Sequence, residues 1–165
     1  MKKNKLLLFS LLLFGSLLCN GYIFATKKNN QPQSVNDEAF AKAKHYENVV
    51  DSYLRGLNEQ DLEGILSLYA DDATVEDPVG SNIISGMEAL RKFYSGAVTM
   101  ELSLTRTGPV RVAGNEAAFP FQLRMEVNGV LMKTDIIDHF KFNEEGKIVS
   151  MRAFWGPSNR KVATE

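Results

Sequence analysis

The chain has 165 residues, a net charge of −1 and 44% hydrophobic residues, including ten Phe. Without residues 1–25 it keeps 16 basic against 20 acidic residues, a net charge of −4. That balance leaves no electrostatic footprint for nucleic acid. Cys19 is the only cysteine, which excludes an intramolecular disulfide and a zinc cluster, and His45 and His139 have no partners at ligand spacing.

Residues 1–25, "MKKNKLLLFSLLLFGSLLCNGYIFA", join a basic start to an apolar run from Leu6 to Leu18 and a possible cleavage point at Ala25, the pattern of a targeting segment. Three readings stand side by side. The first is a cleaved export signal. The second is an uncleaved anchor, since Leu6 to Ala25 is twenty residues, long enough to span a bilayer. The third is a lipoprotein, disfavoured by Leu18 directly before Cys19. All three place the domain outside the cytoplasm, with membrane contact only through this segment. Residues 26–36 read as a polar linker, 37–158 as one domain of ordinary size, and 159–165 as a tail.

Within the domain, Tyr46, Val50, Tyr53, Leu54 and Leu57 recur at spacings of three and four, which predicts a helix over 37–58, capped by Asn36 or Asp37. Leu62, Ile65, Leu66 and Tyr69 fall at i, i+3, i+4 and i+7 and predict a second. A short strand is expected over 73–77, ended by Pro78, which lacks the donor a sheet ladder needs. Met87, Leu90, Phe93 and Tyr94 predict a third helix. After Gly96 the period changes to two. Strands are expected over 102–105, 110–112, 117–127, 130–142 and 148–155, with Asn128-Gly129 as a tight hairpin turn and "NEEG" as the next turn. Three helices and a curled antiparallel sheet make an α+β domain, in which the helices close over the concave face and leave a conical pocket.

Polar residues on apolar faces carry the functional signal. "YADDATVEDPVG" holds four carboxylates: Asp71, Asp72, Glu76 and Asp77. Only Asp77 follows the apolar side of the strand, with Ala73 and Val75; taken alone it also reads as a turn residue before proline. Asp138 sits in the even row Met132, Thr134, Ile136, Asp138, Phe140, Phe142. Burial there raises a carboxyl pKa and favours a neutral hydrogen-bond donor; the alternative is a core Asp satisfied by backbone. Tyr53, Tyr69 and Tyr94 fall on inward helical stripes, as separate core phenols or as a converging donor chain. Trp155 shares a row with Met151 and Ala153 and reads as pocket wall. An inward carboxylate opposite a neutral carboxyl and a phenol can remove a proton next to a carbonyl and hold the enolate oxygen, with no metal or cofactor.

The motifs "YADDATVEDPVG", "SGMEALRKFY", "TGPVR", "AAFPFQLRMEVNG", "DIIDHFKFNEEGKI" and "MRAFW", in this order from about Tyr53 to Trp155, resemble the ketosteroid isomerases (steroid Δ5-3-ketoisomerases) of the nuclear-transport-factor-2-like, or SnoaL-like, superfamily. The resemblance implies a cone-shaped α+β fold and a homodimer through the outer face of the sheet. It implies a shift of a 3-oxo-Δ5-steroid to its Δ4 isomer through a dienolate, without cofactor or metal. It implies Asp77 as general base, Tyr53 and protonated Asp138 as oxyanion donors, Tyr69 and Tyr94 as supporting tyrosines, and Trp155 beside the base. That family is the standard case of a carboxylic acid kept neutral by an apolar site, so the raised pKa of Asp138 is consistent with it rather than independent of it, while its place in the apolar row of the strand stands separately. The export segment departs from the typical family pattern. Val79, Ile83, Ile84, Val98 and Met100 are expected to line the pocket. Competing expectations are a SnoaL-like cyclase acting on a polyketide-type carbon acid and an exported binding module for an apolar ligand. An epoxide-hydrolase relay of Asp-Arg-Asp type is disfavoured, because Arg111 and Arg124 have no place in one.

Overall fold

A computed structural model describes residues 35–163. The targeting segment and all but the end of the linker lie outside the described residues. Helix α1 runs Val35–Asn58, and its stripe Tyr46, Val49, Val50, Tyr53, Leu54 and Leu57 is buried at spacings of three and four. Asp37 and Glu38 lie in its first turn, where negative charge suits the helix dipole. Helix α2, Leu62–Leu66, starts at Asp61, whose carboxylate accepts from Gly64 N–H at 2.9 Å.

Here the structure departs from the sequence pattern. Strand β1 spans Tyr69–Glu76, so Tyr69 is a strand residue and not the end of a helical stripe. Helix and strand spacing coincide at this point, and pairing decides. Ile148 N–H donates to Leu68 carbonyl oxygen at 2.9 Å, and Tyr69 lies in register with Ile148. The register shifts between Tyr69 and Thr74, and in that irregular stretch Asp71 and Asp72 are exposed. A two-residue strand β2, Ile84–Ser85, pairs back on β1, and α3, Met87–Val98, buries Leu90 and Tyr94.

The remaining strands follow the two-residue period: β3 Ser103–Arg106, β4 Arg111–Ala113, β5 Glu116–Val127, β6 Val130–Phe142 and β7 Ile148–Phe154. Asn128 and Gly129 both have positive φ (51° and 78°), as the tight turn joining β5 to β6 requires. Residues expected in the tail instead form β8, Arg160–Val162, paired with Met132–Thr134 near the start of β6. Three residues are too few for a legible period.

The sheet order is β2-β1-β7-β6-β5-β3, with β4 on β5 and β8 on β6. It is curved and unclosed, and β1 runs parallel to β7, so it is mixed rather than wholly antiparallel. On its inner face Ala117, Phe119, Phe121, Ile136, Phe140, Met151 and Ala153 pack against the helices. Fully burying each large member of that set stabilises the fold by about 1.5–3 kcal/mol. Phe140 is central: its ring lies 5.1 Å from Tyr53 and 5.0 Å from Phe119, both edge-on. This packing fixes the phenol of α1 against the strand that carries Asp138.

Candidate active site

A cavity between the helices and the inner sheet face has an empty volume of about 430 Å³, including its open mouth. It is walled by Leu57, Phe93, Leu104, Phe121 and Ile136, among others, and its polar lining is Tyr53, Asp77, Tyr94 and Asp138. Apolar walls with a few convergent polar groups are the usual make-up of a small-molecule site.

Asp138 stands opposite Phe119 on β5 and Ala153 on β7, on the buried face of the sheet. It is 1% exposed, and its Oδ1 has no hydrogen-bond partner among the described residues. Burial pushes its pKa well above the ordinary carboxylate range, and the nearby Asp77 charge adds to this, while the Tyr53 hydroxyl pulls the other way. The neutral form is therefore favoured. Tyr53 is raised well above the ordinary phenol value, first by burial and then by Asp138, so it stays a donor.

Asp77 follows β1 directly and continues the inner face of Ala73 and Val75, both fully buried. Its Oδ1 accepts from the Trp155 indole N–H at 2.6 Å. Burial raises its pKa and the Trp155 bond lowers it, so it remains far more readily ionised than Asp138. Two carboxyl groups in one cavity are thus pushed apart by environment, the arrangement that separates base from acid.

The three tyrosines do meet. The Tyr69 and Tyr94 hydroxyls share a short hydrogen bond, and the Tyr53 and Tyr94 rings stand edge to face at 6.3 Å. Tyr69 reaches this cluster from a strand rather than a helix. All six residues singled out from the sequence (Tyr53, Tyr69, Asp77, Tyr94, Asp138 and Trp155) lie around the cavity or behind its polar wall.

The expected pocket liners do not. None of Val79, Ile83, Ile84, Val98 and Met100 lines the cavity, and Ile83 is 64% and Met100 47% exposed. Loop and helix-end positions carry no period that fixes direction. Leu57, Phe93, Leu102 and Leu123 line it instead.

Glu76 has a part that the strand pattern did not reveal. It accepts from Gly80 N–H at 2.8 Å and from Arg152 Nε at 2.8 Å. With Val79 N–H donating to Ala153 carbonyl oxygen at 2.8 Å, it braces the loop that carries Asp77. Glu at four residues before Gly was the available signal. His139 pairs with Glu116 and His45 with the Gly146 carbonyl, both away from the cavity lining. Among the described residues no cluster of three or more His, Cys, Asp or Glu is placed to hold a metal ion.

Comparison with known proteins agrees with this architecture. The chain is 38% identical over 98 residues to the Steroid Delta-isomerase of Nocardioides simplex, an alignment covering 59% of this chain and 79% of that protein. A solved structure of the epoxide hydrolase/cyclase-like enzyme SalBIII, described for its role in pyran ring formation in the polyether salinomycin, superposes with a TM-score of 0.69 at 31% identity. That match covers 73% of this chain and 98% of the other. The SnoaL-like domain signature matches residues 50–151, which hold every polar group of the cavity wall, and the chain belongs to the SnoaL-like, NTF2-like family.

Proposed function

We propose that the protein is a cofactor-independent isomerase that moves a proton from C4 to C6 of a 3-oxo-Δ5-steroid or a similar fused-ring enone. The observation that carries this reading is an ionisable Asp77 facing an apolar cavity whose other polar wall is Tyr53 and a carboxyl, Asp138, kept neutral by burial. The Asp77 carboxylate takes the C4 proton, and the electron pair moves onto the C3 oxygen to give a dienolate. Tyr53 and protonated Asp138 donate hydrogen bonds to that oxygen where its charge develops. Asp77 then returns the proton to C6. Trp155 holds the carboxylate in place, and Tyr94 and Tyr69 stand behind the Tyr53 hydroxyl. The 38% identity to a Steroid Delta-isomerase supports the substrate class. Purified protein mixed with a Δ5-3-ketosteroid is expected to develop conjugated-enone absorbance; no growth of that absorbance sinks the steroid assignment.

The likeness to the cyclase-like SalBIII supports a second reading, a SnoaL-like cyclase; in it the same base would act on a polyketide-type carbon acid. Solvent deuterium incorporation into a panel of carbonyl carbon acids separates the two. Although SalBIII is described as epoxide hydrolase/cyclase-like, an Asp-Arg-Asp relay lacks its arginine here: Arg111 and Arg124 are exposed, and neither lines the cavity. A pure binding module predicts tight ligand binding without turnover and indifference to Asp77→Asn. For assembly we propose a homodimer through the outer sheet face, where Ile137 and Phe154 are 50% and 44% exposed beside Pro120. The basic and apolar start of the sequence supports export of the domain.

A further inference from the structure

Trp155 is the single tryptophan of the chain, and it is held from two sides. Its indole N–H donates to Asp77 Oδ1, and the Arg160 guanidinium carbon lies 4.9 Å over its ring centroid. Arg160 opens β8 and stands opposite Thr134 of β6, on the same sheet face as Asp138. Its Nε donates to the buried Thr134 hydroxyl at 3.4 Å, and no carboxylate among the described residues pairs with it. Arg160 is exposed, and its guanidinium is the cation that lies over the ring.

Arginine suits this position, because a planar guanidinium stacks on an aromatic face and an ammonium does not. A cation over the indole face is drawn to its negative π-cloud and withdraws electron density from the ring. The N–H at the ring edge then becomes a stronger donor to a carboxylate. Strand β8 supplies the geometry, since its pairing with β6 is what brings Arg160 back over Trp155.

We propose that Arg160 is a positioning residue for Asp77, clamping the Trp155 ring so that its N–H is aimed at the carboxylate. Arg160 does not line the cavity. Its contact is with the Trp155 ring, whose N–H donates to Asp77, so Arg160 acts through the indole. The functional meaning of this clamp rests on the proposed role of Asp77 as base; the clamp itself does not.

Trp155 emission reports the contact without any substrate. The experiment is a fluorescence pH titration of the full chain, with anisotropy decay, for wild type, R160M, R160K, W155F and D77N. Wild type is expected to show a transition that D77N lacks, assigning it to Asp77, and W155F to show no indole signal. In R160M the midpoint is expected to rise by about half a pH unit, the size of an exposed cation–π contact, because a weaker N–H donor stabilises the carboxylate less. The ring is also expected to reorient faster. R160K, which keeps the charge without the planar stack, is expected to recover less than half of the shift. The other titratable groups around Asp77 are Tyr53 on α1, Tyr69 on β1, Tyr94 on α3 and Asp138 on β6, with the Glu76–Arg152 pair behind it. All remain present in every Arg160 variant. An R160M midpoint and anisotropy equal to wild type overturn the proposal, as does a wild type with no Asp77-dependent transition. Enone formation is measured on the same preparations. An R160M shift without steroid turnover in wild type leaves the clamp standing and removes the proposed reaction.

Discussion

Asp138→Asn is expected to alter how folding stability depends on pH while preserving the shape of the site. In the folded protein the Asp138 pKa is raised well above its ordinary value, chiefly by burial. In the unfolded chain it returns to the ordinary value near 3.9. Between those two values the unfolded state has released the proton and the folded state still holds it. Folding then binds a proton, and stability falls as pH rises through the window. Asp138's favourable contribution is complete below the ordinary carboxylate value and is lost progressively up to the folded value. The linkage slope for one proton is about 1.4 kcal/mol for each pH unit of that window. Asparagine does not titrate, so the variant lacks this slope, while Asp77 and the surface carboxylates contribute alike to both proteins. Urea unfolding at half-unit steps from pH 4 to pH 8 measures the difference. As pH rises, the wild type is expected to lose stability relative to the variant. Parallel curves would mean that Asp138 ionises equally in both states, and the argument for a neutral carboxyl in the cavity would fail.

Asp77→Asn is expected to lower the isomerisation rate by at least a hundred- to ten-thousand-fold, the span of general base catalysis, with thermal unfolding little changed; comparable turnover in the variant removes Asp77 as base. Tyr53→Phe takes away one of the two proposed oxyanion donors and is expected to reduce kcat by about a hundred- to a thousand-fold, read from the same absorbance assay. Substituting Ile137→Asp together with Phe154→Asp places charge on the outer sheet face and is expected to give a monomer by sedimentation velocity where wild type sediments as a dimer. A wild-type monomer refutes the proposed assembly directly.

The sequence patterns differ in how far they reach. Asp138 was legible because β6 is long and regular: burial alternates from Thr134 to Phe142, so one carboxyl in an otherwise uncharged row stands out. Asp77 was legible for the same reason over a shorter run, and Tyr53 and Tyr94 from helical spacing. Tyr69 was correctly turned inward but assigned to the wrong element, since an i+7 position and a strand position look alike until pairing with Ile148 decides. The parallel contact of β1 with β7 joins segments nearly eighty residues apart, and no local period encodes it. The cavity lining at 79–84 and 98–100 was misjudged because turns aim side chains by backbone geometry. Arg160 stayed hidden in a segment too short to show alternation.

The loop after β1 is anchored unevenly along its length. Its first half is tied down three times, by Glu76 to Gly80, by Val79 to Ala153 and by Ser81 to Pro78. Its second half ends in the outward Ile83 before β2 begins. Residues 82–83 therefore form a natural splice point: foreign sequence inserted there falls beyond the anchored turn, which keeps the Asp77 carboxylate on station. Deleting any one of residues 78–81 does the opposite, disturbing the tether and the acid together.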